Sequence, residues 1–173
     1  DSETHDPLLK TQGYSWKYNQ GYVLCTALYY EAEDRVDVIA GLHNTNCPYS
    51  EKQRIEQNQI LRKILTNPDV MLVGANITYD LGWWLYELRM STYEVKCSLV
   101  DVLIAERFID EYSTPDLENT SWKYLRYGKT KDRVETWVRE NKAKRGDFRK
   151  YLKDAPWELT DEYVRGDAKN PVK

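Results

Sequence analysis

A short apolar segment followed by two polar side chains constrains the fold of this chain more than any other feature. Residues 70–75 (VMLVGA) are apolar and have the length of a buried strand. Asn76 ends this run, and a carboxylate follows at Asp80. We interpret the segment as a strand, a turn and a helix, with Asn76 at the carboxyl end of the strand and Asp80 in the first helical turn. Open α/β sheets bind their ligands at that edge.

Acidic residues near both ends of the chain extend this pattern. The chain opens with Asp1 and Glu3, while Tyr163 and Asp167 lie close to its end. In chain order the motifs are therefore D-x-E, N-x3-D and Y-x3-D. Asn76 taken alone is equally consistent with a helix cap, because asparagine accepts hydrogen bonds from first-turn amides. Three motifs in this order are more informative than any one of them.

The ordered motifs resemble Exo I, Exo II and Exo III of the DEDD 3′–5′ exonucleases, in the tyrosine-bearing DEDDy subclass. The linking sequence is similar to the proofreading exonuclease domain of phage-type family A DNA polymerases. The matching segments are DPLLK at 6–10, GYV at 21–23, VGAN at 73–76, YDLGW at 79–83, KYL at 123–125 and GK at 128–129. The resemblance covers nearly the whole chain.

This resemblance implies an α/β, ribonuclease H-like fold with a five-stranded mixed sheet, its second strand antiparallel, flanked by helices. It implies a single exonuclease domain over residues 1–173. In the family the central strand begins several residues before the first motif acid, and the last helix runs on further. We therefore expect a fragment of a longer chain, truncated at both ends, with a covalently linked polymerase domain. A cytoplasmic location, in a bacterial or phage-infected cell, is a further expectation.

The resemblance also assigns roles to the motif residues. Asp1, Glu3 and Asp167 would hold a divalent ion that activates water, and Asp80 would act mainly on a second ion. Tyr163 would orient the attacking water, because a phenol with an ordinary pKa of about 10 is a poor base. Asn76 and the backbone around Thr4 would bind the terminal nucleotide. The expected cofactors are two Mg²⁺ or Mn²⁺ ions, and the expected partner is the 3′ end of single-stranded DNA.

The residue types suit this chemistry independently of the resemblance. Hydrolysis of a phosphodiester is assisted by two divalent ions about 3.5–4 Å apart, which lower the pKa of bound water and stabilise both oxygens. Mg²⁺ and Mn²⁺ prefer carboxylates. Asp1 and Glu3, two residues apart on a strand, point the same way. Tyr163 and Asp167, four residues apart, share one helical face.

The charge distribution is uneven. The whole chain has a net charge of −3, but residues 123–153 contain twelve Lys and Arg against four Asp and Glu. This basic segment is either a solvated helical face or a positive wall that guides a phosphate backbone. No apolar run approaches the ~20 residues of a membrane span, and the three cysteines lack the spacing of a zinc site or disulfide framework.

Local patterns predict several further elements. Residues 22–30 and 36–41 are predicted to form a β-hairpin. Ser50 is predicted to cap a helix that ends at Asn67 and Pro68. Residues 79–89 read as a helix and residues 93–97 as a strand. Ser98 and Asp101 form a capping box for a helix to Ile109, so we assign Asp101 no catalytic role. Thr160 is predicted to cap the last helix.

Two alternative functions remain open. A stand-alone RNA-trimming exonuclease of the same superfamily would use the same acids. A non-catalytic nucleic-acid-binding or scaffold domain would keep the fold without the chemistry, although such decay usually removes a carboxylate and all four are present here. Binding of two Mn²⁺ ions by Asp1, Glu3, Asp80 and Asp167 would favour an enzyme.

Overall fold

The computed structural model describes residues 1–126, 132–142 and 148–169. The chain folds as an α/β protein with a three-stranded antiparallel sheet, a two-stranded parallel sheet and flanking helices. The strands are β1 (Ser2–His5), β2 (Tyr22–Tyr30), β3 (Arg35–Ala40), β4 (Met71–Gly74) and β5 (Ser98–Asp101). The helices are α1 (Glu51–Leu65), α2 (Ile77–Leu88), α3 (Val102–Ile109), α4 (Leu117–Leu125), α5 (Asp132–Asn141) and α6 (Trp157–Lys169). Short 3-10 helices cover Ser15–Tyr18, Glu31–Glu33, Thr92–Glu94 and Phe148–Asp154.

The antiparallel sheet is built around β2, which pairs with β1 on one side and with β3 on the other. The predicted hairpin is thus confirmed, with β3 beginning one residue earlier than expected. The ladder between β1 and β2 is irregular, since Glu3 pairs with Cys25 and the next residue, Thr4, pairs with Val23. Leu24 is therefore an extra residue in β2, and this β-bulge adds local twist.

The parallel sheet is a strand–helix–strand unit, β4–α2–β5, preceded by α1. Ser50 caps α1, as the sequence predicts. Gln53 completes a capping box, which the sequence analysis does not predict. The strand expected over residues 70–75 is observed as Met71–Gly74, and α2 begins at Ile77, two residues earlier than expected. Val73 pairs with Val100 in the middle of the ladder.

The two faces of the antiparallel sheet are covered by different helices. Leu28 and Ile39 pack with Leu61 and Leu65 of α1 and with Trp84 of α2. The opposite face carries the buried side chains of Cys25, Ala27 and Val38, which pack against Val164 and Ala168 of α6. Because side chains alternate along a strand, β1 also presents one set of residues to α2 and the other to α6.

Three local predictions are wrong. The strand expected over residues 93–97 lies instead at Ser98–Asp101, and a 3-10 helix covers Thr92–Glu94. The following helix begins at Val102, capped by Asp101, and Ser98 belongs to the strand. The last helix begins at Trp157, so Thr160 is a buried residue inside its first turn and not its cap. A four-residue segment such as β5 is too short for its hydrophobic periodicity to distinguish a strand from the start of a helix.

The α/β class is confirmed, while the five strands form two sheets. Within the residues described, β1 is hydrogen-bonded only to β2, and β4 only to β5. One hydrophobic cluster nevertheless joins the two sheets, because Leu72 of β4 and Val70, just before it, pack against the same buried core as Leu28. No helix in the described ranges is long and apolar enough to cross a membrane.

Three basic residues of the segment are paired with acids of the fold. Lys123 contacts Glu106 at 2.6 Å and Asp110 at 3.0 Å. Arg133 pairs with Glu162, and Lys142 with Asp154. Several predicted features lie outside the described residues, namely Gly128, Lys129, Lys131, Lys144, Arg145, Asp147, Asn170 and Pro171.

Candidate metal centre

Three carboxylates from opposite ends of the chain converge beside β1. Carboxylate oxygens of Asp1, Glu3 and Asp167 all lie within 4.8 Å of one another. Asp1 and Glu3 point to the α6 side because they alternate with Ser2 along the strand. Asp167 reaches them from the last turn of α6, which packs on β2 and β3. Residues more than 160 positions apart in the sequence therefore form one acidic cluster.

The acidic cluster is largely shielded from water. Glu3 is 9% exposed and Asp167 is fully buried at 0%, whereas Asp1 is half-buried. Oδ2 of Asp1 is buried and has no hydrogen-bond partner among the described residues. Grouping carboxylates away from water is costly unless a cation or hydrogen-bond donors compensate the charge. The cluster thus has the donor chemistry of a site for a hard divalent cation.

Tyr163 lies one helical turn before Asp167 and borders the acidic cluster. Its side chain is 2% exposed, and its ring packs edge-on against Phe148 with centroids 5.5 Å apart. Burial raises the pKa of the Tyr163 phenol well above its ordinary value, and the negative charges of Glu3 and Asp167 raise it further. A hydrogen bond to Asp167 acts in the same direction, while the positive charge of Arg149 opposes it. The phenol therefore keeps its proton at neutral pH.

Asp80 is buried but approaches β1 from the other face. It is 4% exposed, and burial raises its pKa from 3.8 to about 6. The N-terminal ammonium of Asp1 and hydrogen bonds from the backbone and side chain of Ser2 oppose that rise. Asp80 is thus close to the start of β1, yet it is not one of the three acids within 4.8 Å of each other.

The first turn of α2 is capped by a residue from a different strand. Asp101 accepts hydrogen bonds from the backbone N–H groups of Asn76 and Ile77, both at 3.0 Å. The same carboxylate accepts from Leu103 N–H at 3.0 Å, so it also caps α3. Asp101 is a cap, as predicted, but it is the N-cap of α3 itself and not the partner of Ser98 in a capping box, and it also caps α2. The cap places Asp80 by fixing where α2 begins.

Asn76 precedes α2 in the left-handed conformation, with φ of 57°, and its side chain makes no capping hydrogen bond. The alternative interpretation of Asn76 as a side-chain cap is therefore wrong. Its side chain is exposed at the carboxyl end of β4. It remains able to bind a ligand at the edge where the sequence predicts one.

A hydrogen-bonded chain next to Glu3 was not predicted. Thr4 Oγ1 lies 2.7 Å from the hydroxyl of Tyr79, which donates to Asp6 Oδ2 at 3.1 Å. The other oxygen of Asp6 accepts from the backbone N–H of Ser15 at 3.1 Å and from its hydroxyl. This network ties the loop after β1 to the first turn of α2. Asp6 and Tyr79 both belong to segments that carry the family resemblance, which is the only sequence signal for them.

The same loop forms an aromatic layer beside α2. Tyr14 packs edge-on against Tyr79 with centroids 5.6 Å apart, and it lies parallel to Trp16 at 6.0 Å. Gly82 permits this packing, since a Cβ there would meet Trp16 Nε1 at 3.1 Å. The loop is therefore held against the helix that carries Asp80.

Comparison of the chain with protein-family models, with curated proteins and with solved structures finds no match. The convergence of the acidic residues is thus the principal observation about this site. The site as a whole has carboxylates that can bind a cation, a phenol that can orient water, and hydroxyl and amide groups at the edge of the sheet.

Proposed function

We propose that this chain is a metal-dependent 3′–5′ exonuclease that removes nucleoside 5′-monophosphates from DNA 3′ ends, as the proofreading domain of a DNA polymerase. The observation that carries the proposal is the acidic cluster of Asp1, Glu3 and Asp167, whose carboxylate oxygens lie within 4.8 Å of one another. These are three of the four acids in the motifs that resemble the DEDD exonucleases.

The acidic cluster suits Mg²⁺ or Mn²⁺ in the type of ligand it offers. Asp1, Glu3 and Asp167 would hold one ion, and Asp1 together with Asp80 would hold a second. Such ions lower the pKa of bound water and offset the charge that builds on a scissile phosphate. The buried, unbonded Oδ2 of Asp1 supports this assignment, because a cation would satisfy it.

Tyr163 acts by orienting water and not by removing its proton. Its raised pKa leaves the phenol protonated, and the hydrogen bond to Asp167 uses that proton. The phenol oxygen still has a lone pair that accepts a hydrogen bond from water. Arg149 is close enough to Tyr163 to affect its pKa, which places one positive charge of the basic segment beside the site. That charge would attract a phosphate backbone.

Thr4 and Asn76 would bind the terminal nucleotide, each at the end of a strand. The half-exposed Thr4 and the exposed Asn76 are both accessible to a ligand. We also propose that the two sheets are parts of one ribonuclease H-like sheet of five strands, with β1 beside β4. The hydrophobic cluster shared by Leu28 and Leu72 supports this arrangement.

Degradation of 5′-labelled single-stranded DNA in Mg²⁺ or Mn²⁺ tests the proposal. We expect products that shorten stepwise from the 3′ end. Asp167→Ala should reduce the rate at least about 100-fold, while leaving binding of the oligonucleotide largely intact. Glu158→Gln is the matched control, because Glu158 is an exposed acid on the same helix. Unchanged turnover in Asp167→Ala would refute the nuclease.

Two parallel measurements separate the alternatives. Labelled RNA of the same sequence should be degraded more slowly than DNA, and a preference for RNA would favour the RNA-trimming exonuclease. Calorimetric titration with Mn²⁺ should give two bound ions in the wild type. Oligonucleotide binding without any bound Mn²⁺ would favour a non-catalytic domain.

A further inference from the structure

The loop between β3 and α1, residues 41–50, runs beside the bulge of β2 and is tied to the elements around it. Gly41 opens the loop, and its N–H donates to the carbonyl of Leu24, the extra residue of β2, at 3.0 Å. Arg54 of α1 donates to the carbonyl of Leu42 at 3.2 Å. The first part of the loop is therefore fixed both to the sheet and to α1.

Asn44 fixes the middle of this loop through both ends of its side-chain amide. The side chain is 3% exposed, and its Nδ2 donates to the carbonyl of Leu24 at 2.9 Å. Its Oδ1 accepts from the backbone N–H of Asn46 at 2.9 Å. Exchanging the oxygen and nitrogen of this amide would place donor against donor and acceptor against acceptor, so the partners determine its orientation. Asn46 is thus held in place relative to β2.

Asn46 makes the contact between this loop and α6. Its Nδ2 donates to the carbonyl of Ala155 at 2.7 Å and to that of Lys153 at 3.3 Å. Both carbonyls lie at the corner between the 3-10 helix Phe148–Asp154 and α6, which begins at Trp157. Carbonyls at the end of a helix need donors from elsewhere in the structure. A side chain of the loop therefore holds the start of α6.

The position of α6 along its own axis matters for the acidic cluster, because Asp167 comes from α6 while Asp1 and Glu3 come from the start of β1. Apolar packing of a helix on a sheet is non-directional, whereas a hydrogen bond fixes a position along the axis. A slip of one residue would move Asp167 by about 1.5 Å. That is large beside the ligand distances of about 2.0–2.1 Å that Mg²⁺ demands. Arg165 adds a second directional contact, to the carbonyl of Val36 at 2.5 Å, so loss of the loop contact should loosen Asp167 without releasing it.

We propose that Asn44 and Asn46 are positioning residues that hold the start of α6, and with it Asp167, at the distance from β1 that a divalent cation requires. This inference rests on the proposed exonuclease function, because it concerns the same metal site. Neither asparagine belongs to the acidic cluster, and both act through the backbone around Ala155. Their removal should therefore weaken cation binding without changing the set of ligands.

Calorimetric titration of the whole chain with Mn²⁺ tests the proposal. Asn46→Ala removes the donor at an exposed position, and it should raise the Kd for Mn²⁺ about tenfold, the lower end of the effect of losing a group that orients metal ligands. Asn46→Asp should also weaken binding, although its added negative charge would by itself attract a cation. Half-saturation of DNA cleavage should move to about tenfold higher Mn²⁺ in both variants, with kcat at saturating Mn²⁺ close to that of the wild type.

Asn58→Ala is the matched control. Asn58 is buried, and its Nδ2 also donates to two backbone carbonyls, those of Ala40 at 2.8 Å and Arg54 at 2.9 Å. It lies on α1, which packs on the face of the sheet opposite α6. Asn58→Ala should lower the urea midpoint at least as much as Asn46→Ala, while its Kd for Mn²⁺ stays that of the wild type.

The outcomes separate this inference from the exonuclease proposal. If the wild type binds Mn²⁺ and the Kd is unchanged in both Asn46→Ala and Asn46→Asp, the inference is overturned and the exonuclease proposal stands. A Kd raised equally in Asn58→Ala would overturn it too, because the effect would then follow from loss of stability. A wild type that binds no Mn²⁺ would overturn the exonuclease proposal and this inference with it.

Discussion

The shared cap at Asp101 yields a stability prediction that can be worked out from the structure. Oδ1 accepts from the N–H groups of Asn76 and Leu103, and Oδ2 accepts from Ile77. In Asp101→Asn one oxygen becomes an NH₂ group. Whichever way the amide is oriented, at least one backbone N–H then faces a donor.

The expected loss has two parts. A backbone donor left without its partner costs about 1–3 kcal/mol. Removing the negative charge from the first turns of two helices costs about 0.3–1 kcal/mol for each helix. Asp101→Asn should therefore lower the free energy of unfolding by about 2–5 kcal/mol, even though the side chain keeps its size.

Urea denaturation followed by circular dichroism measures this loss. Asp116→Asn is the matched control, because Asp116 caps only α4, through Asn119 N–H at 2.8 Å, and asparagine is an equally good cap there. The control should lose less than about 1 kcal/mol. Equal losses in the two variants would refute the argument that one carboxylate supports two helices.

Three further predictions concern stability and turnover. Burial raises the pKa of Glu87 above its ordinary 4.5, so the folded state binds the carboxyl proton more tightly than the unfolded state does. The free energy of unfolding of the wild type should therefore fall, relative to that of Glu87→Gln, as the pH rises from 4.5 through the raised pKa. Parallel pH curves for the two proteins would contradict this. Gly41→Ala should lower the free energy of unfolding, measured in urea, by more than about 2 kcal/mol, because a Cβ would lie 1.8 Å from the carbonyl oxygen of Val23. A loss below about 1 kcal/mol would mean that the backbone of β2 shifts to accommodate the methyl group. Tyr163→Phe should slow DNA hydrolysis about tenfold, far less than Asp167→Ala, and an equal loss would show that the phenol does more than orient water.

The elements predicted correctly from the sequence are those with strong local patterns. The β2–β3 hairpin and the capping box of α1 depend on neighbours a few residues apart. β5 has only four residues, and its polar ends resemble a helix start. The function of Asp101 as a cap for α2 depends on a contact across 25 residues, which no local pattern records.

The candidate site shows the same division. The order of the motifs predicts that distant acids meet at one site, and the structure brings Asp1, Glu3 and Asp167 together. The approach of Asp80 from the opposite face depends on the alternation of side chains along β1 and on the packing of α2. The contact between Thr4 and Tyr79 spans 75 residues, so it follows from the tertiary fold and not from spacing.

The extra residue in β2 places two successive side chains on one face of the strand. Leu24 and Cys25 both face α6, since Leu24 packs with Tyr163 and Cys25 with Val164. Deleting Leu24 would remove the bulge and leave a regular ladder in which the residues on both sides of the deletion keep their present faces, because only the bulge places two successive residues on one face. The deletion would therefore remove the packing of Leu24 against Val134, Leu152 and Tyr163, together with the local twist, while the rest of β2 keeps its orientation.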